Sequence, residues 1–248
     1  MMQHYLEIKQ QHQDAIIFYR LGDFYEMFFE DAKTASQELD LVLTGRNAGV
    51  EEKVPMCGIP FHASKGYIQR LIQKGYKVAI VEQLENPAEA KGLVKRDIIK
   101  IVTPGTIMDE VNDEKNTAYI ASMHDYQFGL AVVLCEMTTG EMRAQLIDKQ
   151  VMAIQKIVLG NNVVEVVLPE NFDKKIVHMM EDMESITISY QNDTNIKEPY
   201  KHLLSGIEDE RIYTAFATLT NYLDETQKRS MAHLQHVEMV YENDFLQM

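Results

Sequence analysis

In Leu21-Gly22-Asp23-Phe24-Tyr25-Glu26-Met27-Phe28-Phe29, an aromatic ring and a carboxylate stand two residues apart. If Phe24–Met27 is extended, a period of two puts Phe24 and Glu26 on one face and Tyr25 and Met27 on the other. Tyr25 and Met27 then serve a core, while the opposite face joins an apolar π surface to an anionic hydrogen-bond acceptor. On residue types alone the segment reads as a core strand running into a helix, with Glu26 turned to solvent.

Other groupings that could do chemistry are sparse. No G-x-x-x-x-G-K-[ST] string occurs, so the sequence holds no P-loop, and neither H-E-x-x-H nor a paired-cysteine zinc pattern is present. His233 and His236 are three apart but lack neighbouring carboxylates that fit a metal site. Cleavage of a phosphodiester by two metals needs several convergent carboxylates. Asp125 and Glu136 in the second half, and Glu165 inside an apolar run, are those available, and they read as turn and surface acids. Cys57 and Cys135 are too few for a disulfide framework or a thiolate zinc site and read as buried free thiols in a reducing compartment. The first ten residues contain no apolar leader, and the longest apolar run, near Leu130–Cys135, is far too short to span a bilayer. A soluble cytoplasmic chain is expected.

The elements that must position these residues alternate between helix and strand. Met1–Gln13 reads as a helix with Tyr5, Ile8 and Leu6 inward, Ala15–Arg20 as a strand, Leu21–Asp23 as a bend, and Glu30–Leu39 as a helix. A strand is expected at Leu41–Thr44, a polar loop at Gly45–Lys53, and, because of Pro55 and Pro60, an edge strand or extended loop at Val54–Phe61. Helix Ser64–Lys74 closes at Gly75; strand Tyr76–Leu84, a helical turn from Asn86-Pro87 and strand Lys95–Val102 follow. After turn residues Thr103–Thr106 and an acidic connector at Met108–Asn116, three strands (Ala118–Met123, Leu130–Met137, Glu141–Leu146) precede alternating elements. These are helix Gln150–Leu159, strand Val163–Leu168, helix Asp173–Met183, strand Ser185–Tyr190 and a long helix near Asp209–Thr226. Three antiparallel strands followed by βα units is the order of a ribonuclease-H-like domain. The fold class is therefore α/β, a mixed-sheet unit followed by a ribonuclease-H-like unit. Met231–Met248 starts a new amphipathic run through Val237, Met239, Tyr241, Phe245 and Leu246, and the chain reads as the front part of something longer.

Leu21–Phe28 resembles the Phe-x-Glu mismatch-reading motif of the bacterial MutS family of DNA mismatch repair proteins. Four further strings are similar to that family in the same order: Phe18-Tyr19-Arg20 with Asp31-Ala32-Lys33 around the motif, Pro55–His62, Val78–Gln83 and Arg96–Thr106. The second half resembles the family more loosely, in its strand order and in Met137-Thr138-Thr139-Gly140. The resemblance implies a mismatch-recognition domain at residues 1–105, a linker at 106–116, a connector domain at 117–230 and the opening of a core domain at 231–248. It implies that Phe24 is a wedge stacking on a mismatched base and that Glu26 hydrogen-bonds the edge of that base. A mismatch is poorly stacked, so an inserted apolar side chain and a kink convert its deformability into selectivity. A carboxylate beside phosphates is unfavourable on intact duplex and tolerable where a hydrogen bond or protonation offsets it.

The same resemblance places DNA-contacting arginines at Arg46 and Arg96, with Lys95 a further basic candidate and Met56 in a segment close to the mismatch. Gly45 departs from the family, which commonly has a basic residue there. Implied partners are mismatched double-stranded DNA and a MutL-type protein at the connector, with a homodimer in the full-length form and a monomeric fragment. No cofactor is implied for these residues; ATP and magnesium belong to a C-terminal domain of the full-length family. The competing readings are a protein-interaction module that does not bind DNA, and a metal-dependent nuclease of ribonuclease-H-like fold.

The formal charge of −14 argues, taken whole, against a nucleic-acid surface. It is unevenly spread. Residues 1–104 carry 13 basic and 14 acidic residues, and residues 105–248 carry 11 and 24. Within the first part, residues 46–100 hold 10 basic and 6 acidic residues, a net of +4.

Overall fold

Ile16, Ile17, Phe18 and Tyr19 are all buried along β1 (Ala15–Leu21), a strand apolar on both faces, and such a strand must lie inside a sheet covered on both sides. It organises the first of two compact units, Met1–Pro104 and Gly105–Met248. The computed structural model describes residues 1–47, 53–85, 94–107, 117–127, 129–183 and 185–241. The expected turn at Asn86-Pro87, the connector at Met108–Asn116 and the apolar pair Phe245 and Leu246 lie outside the described residues.

In the first unit β1 pairs antiparallel with β2 (Phe24–Phe28) and parallel with β5 (Lys77–Gln83). With β3 (Thr44–Arg46), β4 (Val54–Pro60) and β6 (Arg96–Val102) they make a mixed six-stranded sheet ordered β3-β4-β2-β1-β5-β6. Helix α1 (Met2–Gln11) lays Tyr5 and Ile8 on the face that carries Ile17, Tyr19, Phe28 and Val81. Leu6, expected inward, is half-exposed. Helix α2 (Phe29–Leu39) covers the other face, where the thiol of Cys57 donates to the carbonyl of Ala32 (3.4 Å). Helix α3 (Ser64–Gln73) packs beside α2 and on β5. Burial pushes the thiols of Cys57 and Cys135 up to about 12, so both stay protonated at neutral pH.

Two strand expectations for this unit need correction. The strand expected at Leu41–Thr44 forms instead at Thr44–Arg46, because Asp40 ends α2 in a left-handed conformation and Leu41–Leu43 are used to reach the sheet edge. Val54–Pro60 is an inner strand between β3 and β2 rather than an edge. Its prolines fit because Pro55 is the second residue and Pro60 lies past the three residues that β3 pairs.

The second unit is built on β7 (Tyr119–Tyr126), β8 (Gly129–Cys135) and β9 (Met142–Asp148), successive and antiparallel. β10 (Val163–Leu168) and β11 (Thr187–Tyr190) add in parallel beside β7. The order β9-β8-β7-β10-β11 is the ribonuclease-H-like arrangement expected from the chain. Helix α6 (Glu210–Gln227) buries Ile212, Phe216, Leu219 and Leu223 on one side of the sheet. Helices α4 (Val151–Gly160) and α5 (Lys174–Glu181) place Ile154, Ile157, Ile176 and Met180 in a separate cluster. In the terminal run, Met231 and Leu234 join the α6 core, and β12 (Val237–Met239) pairs in parallel with β9.

Where this unit begins, the Gly105 amide donates to Oε2 of the fully buried Glu165 (2.7 Å). A Cβ at Gly105 would stand 2.9 Å from Ile120 Cβ and 2.9 Å from Glu165 Cβ, closer than carbon atoms pack. Gly105→Ala is expected to destabilise the chain by about 1–3 kcal/mol through this overpacking. Urea denaturation followed by far-UV circular dichroism measures it, and an unchanged midpoint would refute the packing account.

Candidate nucleic-acid interface

The hairpin of β1 and β2 is tight: Leu21 pairs with Phe24, leaving Gly22 and Asp23 as the turn. Gly22 has φ +57°, which an L side chain rarely adopts, so the turn requires glycine on backbone grounds although the space around it is open. The register then sets every side chain of β2. On its other edge Phe24 lies opposite Pro60, Glu26 opposite Gly58 and Phe28 opposite Met56. Tyr25 and Met27 are buried, as alternation predicts, whereas Phe24 at the strand's start keeps 47% of its surface exposed.

Glu26 is half-buried and bonded to Arg46, whose Nη1 donates to Oε2. Gly58 lies opposite it, where a Cβ would make an ordinary contact with Glu26 Cγ (3.5 Å) and a tight one with the Tyr25 carbonyl (3.3 Å). The Arg46 side chain is 39% exposed and that of Glu26 17%, so the cation end of the pair is open to solvent while the carboxylate is largely covered. Met56 is half-buried against the cluster under α1. Phe24, Glu26, Arg46 and Met56 therefore share one face of β2, β4 and β3, as their pairing registers require.

Arg96 and Lys95 differ from each other. The Arg96 guanidinium lies 5.5 Å from the Tyr19 ring centroid, its Nε donates to the Arg20 carbonyl (2.8 Å) and its Nη1 to the Val94 carbonyl (2.8 Å). Tyr19 sits directly opposite Glu26, its hydroxyl 2.9 Å from His4 Nδ1, and burial raises its pKa. Lys95 is exposed, tied through its backbone amide to Glu85 Oε1 (2.6 Å). Sequence reading missed Tyr19 as the platform for Arg96; ring and cation are 77 positions apart, and only the β1–β5–β6 topology brings them together.

The basic excess of residues 46–100 is not all displayed. Arg70 bonds the Asp40 carboxylate (3.1 Å), Lys74 that of Glu38 (2.6 Å), and the buried Lys77 that of Asp14 (2.5 Å). These acids lie outside the stretch in sequence, so the net of +4 overstates the positive charge available at a surface.

The second unit's acids hold separate structural positions. Asp125 bonds Lys149 (3.1 Å). Glu136 accepts from the Thr138 amide (2.8 Å), the Thr139 amide (2.6 Å) and the Thr139 hydroxyl (2.5 Å). Burial acts to raise the Glu136 pKa, but these bonds prevail and hold it below the usual carboxylate range. Glu165 accepts from Gly105, Ser189 and Tyr222. His233 Nε2 is 3.0 Å from the Met137 carbonyl, and His236 stands edge-on to His202. Among the described residues, no three His, Cys, Asp or Glu side chains group as metal ligands. Among them, too, no helix is long and apolar enough to cross a membrane.

Residues 1–111 match the family described as MutS domain I. The chain is 42% identical over 248 residues to the DNA mismatch repair protein MutS of Bacillus cereus, an alignment covering 99% of this chain and 28% of that protein. MutS of Bacillus thuringiensis is similar to the same extent. The chain thus spans 28% of the length of these curated relatives.

The contrast between Arg96 and Lys95 is testable. Arg96→Ala removes a cation from the Tyr19 ring and two hydrogen bonds, and a loss of about 1–2 kcal/mol in urea denaturation is expected. Lys95→Ala, at an exposed position, should stay within about 0.5 kcal/mol of wild type. Equal midpoints for the two variants would overturn the structural role given to Arg96.

Proposed function

We propose that the chain belongs to the MutS family of DNA mismatch repair proteins, corresponds to their N-terminal region, and recognises mismatched or unpaired bases in duplex DNA with its first unit through Phe24 and Glu26. The observation that carries this reading is the 47% exposure of Phe24 on a strand whose neighbours Tyr25 and Met27 are buried. An exposed ring at the tip of a tight hairpin is poorly used by a core and well placed to enter an opened base step. Stacking there contributes about 1–3 kcal/mol whatever the base, and the base steps of a mismatch open most readily.

Glu26 supplies selectivity. Facing the edge of an exposed base it accepts a hydrogen bond; facing an intact duplex it adds a negative charge near phosphates. Arg46 holds it in the free protein, and because the Arg46 end of that pair is open to solvent, Arg46 passes to a phosphate while Glu26 turns to the base. Lys95 and Arg96 grip the backbone, and Met56 supports the face beside the mismatch.

Residues 117–230 act as a connector domain that meets a MutL-type partner. The net of −13 over residues 105–248 suits a protein contact and disfavours DNA there. The chain binds rather than catalyses; ATP and magnesium belong to parts of the full-length protein beyond this region. The setting is the cytoplasm, with a homodimer in the full-length form and a monomer for these residues alone.

Titration of fluorescein-labelled matched and single-mismatch duplexes at low salt tests the reading. Phe24→Ala is expected to bring the two affinities together, a loss of on the order of tenfold or more in preference. Undiminished discrimination by the variant would sink the wedge. Binding of neither duplex by wild type at low salt would favour a protein-interaction module instead. Glu26→Gln removes a like-charge penalty and should tighten binding to matched DNA; homoduplex affinity equal to wild type would refute that account of the carboxylate.

A further inference from the structure

We propose that Arg20 is a positioning residue that braces the hairpin turn carrying Phe24, a basic side chain of the DNA-reading unit whose charge is engaged inside the protein rather than on phosphate. The inference rests on the reading of Phe24 as the inserted ring.

Arg20 pairs with Tyr25 across the hairpin, so its side chain leaves the sheet on the face opposite Phe24 and Glu26. The side chain is 15% exposed and makes three kinds of contact at once. Its Nε donates to the Gly22 carbonyl (2.6 Å), its Nη1 pairs with Glu82 Oε1 (3.3 Å), and its guanidinium carbon lies 3.5 Å from the centroid of the Phe61 ring. The same Glu82 oxygen accepts from the Tyr25 hydroxyl. Phe61 closes the arrangement, because its amide donates to the Asp23 carbonyl (2.9 Å).

Both carbonyls of the two-residue turn are therefore held, Gly22 by Arg20 and Asp23 by Phe61, and the two holders stack on each other. That matters because Gly22 has the widest backbone freedom of any residue type and immediately precedes the link to Phe24. An unbraced turn would let the ring sample positions away from the duplex and would lose affinity to ordering on binding. Only a guanidinium can donate through Nε, pair through Nη1 and present a flat face to a ring together; a lysine ammonium keeps the charge and loses the geometry.

Two measurements on the whole chain test this. Amide hydrogen exchange of the free protein reads the brace without DNA: in Arg20→Lys the Phe61 amide, bonded to the turn, should exchange at least tenfold faster, with Val166 in the second unit unchanged as an internal control. Phe61→Leu, which keeps an apolar side chain and removes the ring face, should loosen the Asp23 turn similarly and stands in if Arg20→Lys does not fold. Unchanged exchange in these variants overturns the brace.

Titration with a duplex bearing one G·T mismatch and with its matched counterpart, across salt concentrations, reads the consequence. Arg20→Lys should reduce the mismatch preference at least fivefold and leave the salt slope on matched duplex unaltered. If Arg20→Gln lowers that slope by about one and leaves the preference intact, Arg20 is a phosphate contact and the proposal fails. Phe24→Ala in the same series separates the two ideas: if it leaves the preference intact the wedge reading fails, and the exchange data still judge the brace.

Discussion

The pairing register of β2 is the constraint on which the first unit depends. Held between β1 and β4, the strand has no freedom to choose which side chains face the core. A slip by one residue would turn Tyr25 and Met27 outward and drive Glu26 into the apolar layer under α2, at a cost of several kcal/mol for the buried carboxylate alone. The register is in turn set by the two-residue turn at Gly22-Asp23, which pairs Leu21 with Phe24. The register thus fixes the face each side chain takes; on the Phe24 face, Phe28 is covered by α1 while Phe24, at the turn end of the strand, keeps 47% of its surface exposed.

Much of this was legible in the chain. The period of two along Phe24–Met27 correctly sorts the four side chains, and the helical spacing of Ile212, Phe216, Leu219 and Leu223 locates a helix face that proves fully buried. Local pattern fails where long-range pairing decides. Leu41–Leu43 is apolar enough for a strand, yet it serves as a bridge from a left-handed helix end, with Val42 84% exposed. Prolines at 55 and 60 point to an edge, but Pro60 lies past the three residues that β3 pairs and Pro55 is the second residue of the strand. In the site, Phe24 and Glu26 are readable because two residues separate them. The bonds of Arg20 to Phe61 and of Arg96 to Tyr19 are not, since they join positions 41 and 77 apart.

Electrostatics sharpen the same distinction. A count over residues 46–100 suggests a basic surface, and the fold shows that count to be a poor proxy for one. Arg70, Lys74 and Lys77 are neutralised by Asp40, Glu38 and Asp14, acids that the window excludes and the tertiary structure returns. What is left near Phe24 is a small set sorted by how firmly each cation is held. Arg20 is locked on the face opposite Phe24, Arg96 is seated on a ring and two carbonyls, and Arg46 is paired with Glu26 with its own side chain 39% exposed.

Under the proposed function, that gradation bears on how discrimination can arise. A densely basic face would bind every duplex tightly through counterion release, and the 1–3 kcal/mol available from stacking one base would be a minor fraction of the whole. Selectivity is a difference of affinities, so it grows when the sequence-independent part is kept modest. A unit with nearly balanced charge, a carboxylate at its reading edge and only one loosely held arginine beside it meets that requirement. The near-neutrality of residues 1–104, hidden beneath a whole-chain charge of −14 that reads as evidence against DNA, is under the proposed function a condition for telling one duplex from another.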